Sequence, residues 1–261
     1  VVRKNTILCC TLAWISIAPP IMADDLEPGG KLLLTRGISS VDGSGGGGIV
    51  PWALITGNET DRGIGGTAHL TSVILPDFDV VSYGAGIGLR DRLEMSYSHQ
   101  ALDTGATGPK LGLSDGFTFS QDILAMKVRV AGDAVYAQDT WMPVYVAATK
   151  LFLAQSLLVG GTLRYTDGNQ NGLLGFGGTS DASIYPEVSV GYLLSKRLIV
   201  GGEYRAKPDN LAFAEEDAWV DLFAAYAITK EMTISAAYAD LGSIATFDEQ
   251  RGLYLSLQVG F

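Results

Sequence analysis

Apolar and non-apolar positions alternate with period 2 along most of the chain, in segments of roughly ten residues, the signature of half-buried β-strands. Val81, Tyr83, Ala85, Ile87 and Leu89 share one face; Ser82, Gly84, Gly86 and Gly88 share the other. Leu124, Met126, Val128 and Val130 oppose Ile123, Ala125, Lys127 and Arg129. Met232, Ile234, Ala236 and Tyr238 oppose Thr233, Ser235, Ala237 and Ala239. The pattern predicts 13 strands, over 30–38, 49–57, 65–75, 78–90, 92–103, 120–131, 142–153, 156–166, 183–194, 198–207, 218–228, 232–240 and 252–261. Helical periodicity is scarce. No run of 18 consecutive apolar residues follows Ala23, so the pattern holds no transmembrane helix.

A soluble β-sandwich also alternates. Three features favour an all-β, antiparallel up-and-down transmembrane β-barrel of 12–14 strands. The non-apolar face is small and polar, rich in Gly, Ser and Thr, as a lumen is; the apolar face then meets lipid. Tyr83, Tyr97, Tyr165, Tyr192, Tyr204, Tyr226 and Tyr238 sit near the ends of apolar faces, where a ring reaches lipid and a hydroxyl reaches headgroups. Connections alternate in length. Tight turns fall at Asp91, 154–155, 195–197 and 229–231, and long loops at 166–182, 208–217 and 241–251. At the C-terminus Leu253, Leu255, Leu257, Val259 and Phe261 alternate with Tyr254, Ser256, Gln258 and Gly260. This resembles the terminal signal that outer-membrane assembly machinery reads on bacterial barrels.

A barrel with both termini on the periplasmic side has an even number of strands, and 13 is odd. Segments 120–131 and 142–153 must both descend, so a rising strand is missing between them or one segment lies outside the wall.

Several stretches resemble the outer-membrane family known as domain of unknown function 3034. They include Gly29–Thr35, Pro51–Ile55, Gly116–Phe119 with Gln121-Asp122, and Lys127–Tyr136. They continue through Ala148–Ala154, Gly172–Gly178, Lys207–Asn210 and Gln250–Leu257, so the resemblance runs from Gly29 to Phe261. It implies an outer-membrane barrel, with relatives carrying one more strand between Trp141-Met142-Pro143 and Val144-Tyr145-Val146, for 14 in all. It implies no activity.

Composition adds an address. Arg3 and Lys4 precede the apolar stretch 7–18; Pro19-Pro20 breaks it, and Ala23 precedes Asp24-Asp25. This is the order of a secretory signal peptide, residues 1–23, ahead of a barrel domain over 24–261. Both cysteines lie within it, and a cysteine-free remainder suits an oxidising periplasm. Removing it leaves 16 basic against 28 acidic residues, net −12, which excludes a nucleic-acid partner.

Candidate chemistry is sparse. Lipase-type barrels need His and Ser two residues apart on one strand. His99 has Ala101 at that spacing and His69 has Thr71, so no enzyme is expected. No His/Cys cluster suggests a metal, the acids 215–217 and 248–249 read as solvated, and no cofactor is expected. The run Gly45–Gly48 lacks the lysine and helix of a phosphate loop and reads as a flexible loop.

By parity, Glu94, Lys127, Arg129, Arg164, Glu203, Arg205 and Asp221 point into the lumen. Rows of opposed charge there line a selective pore, or else pair with one another and plug it. The expected function is a passive, porin-like channel for small solutes in the outer membrane of a Gram-negative cell, with both termini periplasmic. The alternative is a non-conducting structural, adhesion or lipid-handling barrel. Expected partners are outer-membrane lipid and lipopolysaccharide, the barrel assembly machinery and periplasmic chaperones; a monomer is expected.

Overall fold

The computed structural model describes Glu27, Pro28, Lys31, Leu33, Leu34 and residues 38–132, 134–139 and 143–261. The expected signal peptide lies outside the described residues. Antiparallel strands close into a ring of 12. These are β1 (Gly63–Ile74), β2 (Asp79–Leu89), β3 (Leu93–Asp103), β4 (Thr118–Ala131), β5 (Ala134–Asp139) and β6 (Val144–Phe152). They continue as β7 (Leu157–Thr166), β8 (Ser183–Leu193), β9 (Leu198–Arg205), β10 (Trp219–Ala227), β11 (Met232–Asp240) and β12 (Arg251–Gly260). Each strand pairs with its sequence neighbours, and β1 pairs with β12 from Thr67↔Gly260 to Ile74↔Leu253, which seals the wall.

The strand count corrects the expected 13 in two ways. Segment 49–57 and the described residues of segment 30–38 are not in the wall; they lie inside the barrel. The missing rising strand is β5, 6 residues pairing with β4 and β6. It escapes a search for ten-residue alternation because it is short. Closure at 12 also removes the need for the fourteenth strand that the resemblance implied.

Turn chemistry separates the two ends. Arg90 and Asp91 have φ of 53° and 52°, and the Arg92 amide donates to the Leu89 carbonyl at 3.0 Å. This is the mirror-image two-residue turn whose twist matches a right-handed hairpin. It lies at the same end as 153–156 and 194–197; we call this the turn end. The connections 104–117, 167–182, 206–218 and 241–250 crowd the other, loop end.

The outer surface is apolar around the ring. Leu70, Leu124, Val146, Leu163, Val190, Leu222, Ile234 and Leu255 are all exposed, Leu222 to 69%. An apolar belt of this extent has no counterpart on water-soluble monomers and is stable only against lipid. The seven tyrosines named above are exposed on the same surface. No described helix is long and apolar enough to cross a membrane; the crossing is made by strands.

Candidate functional site in the lumen

The lumen is occupied by the chain itself. Residues 38–59, joined to β1 by a short link, fold inside the wall as a plug with almost every residue buried. A short hairpin pairs Ile38↔Gly46 and Ser39↔Gly45, and Gly46 bridges to Pro51. The segment carries many backbone N–H and C=O groups with no strand partner, and buried groups of this kind must be satisfied. Wall side chains supply the partners.

Glu94 and Lys127, opposite each other on β3 and β4, make one clamp. Glu94 accepts the amides of Gly45 at 3.0 Å and Thr56 at 2.7 Å. Lys127 Nζ donates to the carbonyls of Gly45 at 2.8 Å and Leu54 at 2.9 Å, and lies 3.3 Å from Glu94. Glu203 on β9 makes a second clamp. It accepts the amides of Ile49 at 2.8 Å and Val50 at 3.3 Å, and the Trp52 indole N–H at 2.9 Å. Thr149, Thr162 and Gln258 reach Ala53 N, Pro51 O and Ser39 N. Ser82, Ser98 and Gln100 all donate to the Val41 carbonyl.

Towards the loop end, Asp42 of the plug meets two guanidiniums. Arg205 Nη1 lies 3.1 Å and Arg164 Nη2 3.4 Å from Asp42 Oδ2, while Asn171 donates to Oδ1. Arg164 Nε also holds Glu187 at 2.6 Å. Burial alone pushes the Asp42 carboxyl up, but the two arginines outweigh it and hold the pKa below the ordinary value. Between these polar clamps Val41, Ile49, Val50 and Trp52 pack against Val73, Val80, Leu102, Ile199, Phe223 and Ile244. A cavity of about 30 Å³ lies against Val41 and Ile49 of the plug, and another of about 20 Å³ lies among Arg164, Arg205 and Trp219, space for one or two waters each.

At the turn end, Lys31 bridges Glu59 at 3.3 Å and Asp91 at 2.8 Å, and Asp91 in turn pairs with Arg129. The Lys31 amide donates to the Asn58 carbonyl, so Lys31 lies beside the end of the plug. The Asn58 amide donates to the carbonyl of Phe261, the last residue of the closing strand's extension. Burial pushes the Glu59 carboxyl up to about 7, against the pull of Lys31.

All seven charges expected in the lumen face inward. Glu94, Lys127, Arg164, Glu203, Arg205 and Asp221 are buried, and Arg129 sits at the turn-end rim. Glu94, Lys127, Glu203 and Arg205 grip the plug directly, and so does Arg164 through Asp42. Asp221 pairs in register with Glu203, near plug residue Gly48. Leu253, Leu255, Leu257, Val259 and Phe261 are exposed on the outer face.

The glycine run overturns its reading as a flexible loop. Residues 45–48 are buried, and a Cβ on Gly47 would lie 1.7 Å from Glu203 Oε1. Any side chain there would have to displace the Glu203 carboxylate from its clamp. Asp42, Asn171 and Glu187 went unread in the sequence. Glu187 shares strand parity with Ser189 and Gly191, a signal that marks it as inward; Asp42 lies outside any periodic segment. The two histidines make separate polar contacts. His69 Nε2 lies 3.4 Å from Ser82 Oγ, but that hydroxyl is within 2.9 Å of the Val41 carbonyl, under the plug. His99 pairs with Asp122 on the outer surface.

The family model described as Protein of unknown function (DUF3034) matches residues 35–144 and 137–258. The chain belongs to this family. The DUF3034 match takes in the plug as well as the wall, and its two segments overlap at 137–144, where β5 passes to β6. Solved structures similar to this DUF3034 chain include the NanC porin, at 13% identity and TM-score 0.48, covering 75% of this chain and 98% of that one. The Acinetobacter baumannii outer membrane protein Omp33 matches at 8% identity and TM-score 0.41, covering 75% and 97%. Salmonella typhi OmpF, in complex with daunomycin, matches at 10% identity and TM-score 0.39, covering 76% and 97%. No curated protein matches significantly.

Proposed function

We propose that the protein is a bacterial outer-membrane channel held shut by its own N-terminal segment, a gated barrel in place of the passive pore expected from sequence. The observation that carries the reading is the double clamp. Glu94 with Lys127 and Glu203 hold the plug almost wholly through its backbone. Polar clamps of this kind can be exchanged for water when the plug shifts, whereas an all-apolar filling offers no such path. On this reading the turn end and both termini face the periplasm, and residues 1–23 direct export. The exposed alternation of β12 serves recognition by the assembly machinery. Lipid and lipopolysaccharide surround a monomeric wall.

Planar-bilayer recording tests it. The wild-type barrel should be closed for most of the record, and the double variant Glu94→Gln/Glu203→Gln should show conductance steps at least tenfold more often. Steady wild-type conductance overturns the gating. A folded double variant that remains silent favours the second reading, a non-conducting structural barrel, for which the apolar packing of Trp52 against Phe223, with ring centroids 6.3 Å apart, is the supporting contact.

A further inference from the structure

We propose that the turn-end rim binds the headgroups of anionic glycerophospholipids, with Arg62, Arg90, Arg92 and Lys196 as the main contacts. The inference rests on the lipid-surrounded wall proposed above. Charge is segregated between the two ends of the barrel. The loop-end connections 104–117, 167–182, 206–218 and 241–250 hold nine acids against Lys110 and Lys207, so that end repels phosphate. Among the described residues, the turn-end connections and the link into β1 hold Arg62, Arg90, Arg92, Lys196, Arg197 and Lys230 against Asp61, Asp91 and Glu231. Asp91 is already paired with Lys31 and Arg129, so it does not offset these six cations.

The four main contacts are accessible and placed for lipid. Arg62, Arg92 and Lys196 are exposed and Arg90 is half-buried, and none of the four pairs with an acid among the described residues. The Arg90 amide donates to the Gly63 carbonyl at 2.8 Å, and the Arg129 amide to the Arg92 carbonyl at 2.7 Å. The arginines therefore follow one arc of the rim, from β1 to β4. Lys196 stands across the ring in the turn between β8 and β9, beside Arg197, whose guanidinium donates to the Ile228 carbonyl at 2.9 Å. Directly against these turns the outer face is apolar: Val130, Phe152, Leu153, Leu194, Ile228 and Phe261 are all exposed. A lysine or arginine at such a boundary lays its aliphatic stem along hydrocarbon and lifts its charge to headgroup level. A guanidinium there can donate two hydrogen bonds to one phosphodiester. A zwitterionic headgroup carries its own ammonium beside that phosphate, so a net anionic headgroup gains more from the rim. An acidic protein partner would need the rim to stand clear of the bilayer, whereas the apolar belt runs up to it. The site stands whether or not the barrel conducts.

Electron paramagnetic resonance of spin-labelled lipids tests the site, with the full chain folded into phosphatidylcholine vesicles. Each labelled lipid reports the fraction immobilised against the wall. Labelled phosphatidylglycerol should associate about threefold more strongly than labelled phosphatidylcholine, and the preference should vanish in about 1 M salt, where the Debye length is about 3 Å. Arg62→Gln/Arg90→Gln/Arg92→Gln/Lys196→Gln should lose the preference, with folding verified by heat-modifiable electrophoretic mobility. Arg62→Lys/Arg90→Lys/Arg92→Lys should keep it, and Lys110→Gln at the loop end should leave it unchanged. If the quadruple variant does not fold, Arg90→Gln/Arg92→Gln takes its place and should weaken the preference. Equal association of the two lipids, a preference that persists in high salt, or one unchanged in the folded glutamine variants would each overturn the assignment. Loss of the preference on adding soluble glycerophosphate would overturn it too, marking a site for the free anion. No immobilised fraction for either lipid would overturn the lipid-surrounded wall, and the assignment with it.

Discussion

Gly47 owes its identity to a carboxylate. The Glu203 side chain fills the space any other residue would need, and Gly88 makes similar room, since a Cβ there would lie 2.2 Å from the Thr56 carbonyl of the plug. Gly47→Ala should therefore loosen the plug, costing on the order of 1–3 kcal/mol as an overpacked interior does. Hydrogen exchange checks this: the Ile49 and Val50 amides, both donated to Glu203, should lose protection while β11 amides keep theirs. Equal protection in variant and wild type would contradict it. At this scale the sequence is half legible. Parity alone placed Lys127 and Glu203 inside, because a strand's two faces are fixed by its period. What those charges hold was not legible, since a plug's contacts run to backbone atoms that every residue shares. Glycine-rich composition signals freedom in a chain, yet packing has consumed it here.

Among the elements, long alternating strands such as β10 and β12 matched their expected ranges to within a residue or two, while β5 did not register. Its 6 residues offer too few alternations to stand above chance, and it is recognised by its partners: Tyr136 pairs with Val128 on β4 and with Val146 on β6. Conversely, 49–57 has strand-like alternation but meets side chains where a strand meets strands. Pattern reports burial on alternate sides and cannot tell a wall from its contents. The wall's outer face gives the test at this scale. Leu222 lies near the middle of β10 and is among the most exposed leucines. Leu222→Arg should destabilise the barrel in lipid by about 2–4 kcal/mol, the cost of a cation at the bilayer midplane. Urea unfolding from vesicles measures it; a change near zero would mean that this face does not meet hydrocarbon.

Across the whole molecule, plug and wall share one network. Lys31, Glu59, Asp91 and Arg129 join the plug to the turn-end rim, and Asn58 joins it to the closing strand. Stability should follow the protonation of this network. The Glu59 pKa of about 7 exceeds the 4.5 of an ordinary glutamate, so between these values the folded barrel holds more protons than the unfolded chain. Stability is then highest below about 4.5 as far as Glu59 is concerned, and falls as pH climbs to about 7. Glu59→Gln should remove that component, seen as a flatter difference between melting temperatures at pH 5 and pH 8; an unchanged slope would show that Glu59 ionises freely.

Lys31, ahead of the plug, lies beside Asn58 near the plug's end, while Asp42 lies near the long loops. The plug is a cork with both strings on one side. Its described residues enter and leave at the turn end, so on the gating proposed above it could withdraw without any wall strand parting from its neighbour. On that proposal its travel would run toward the turn end, and the pull that opens the barrel would act from there.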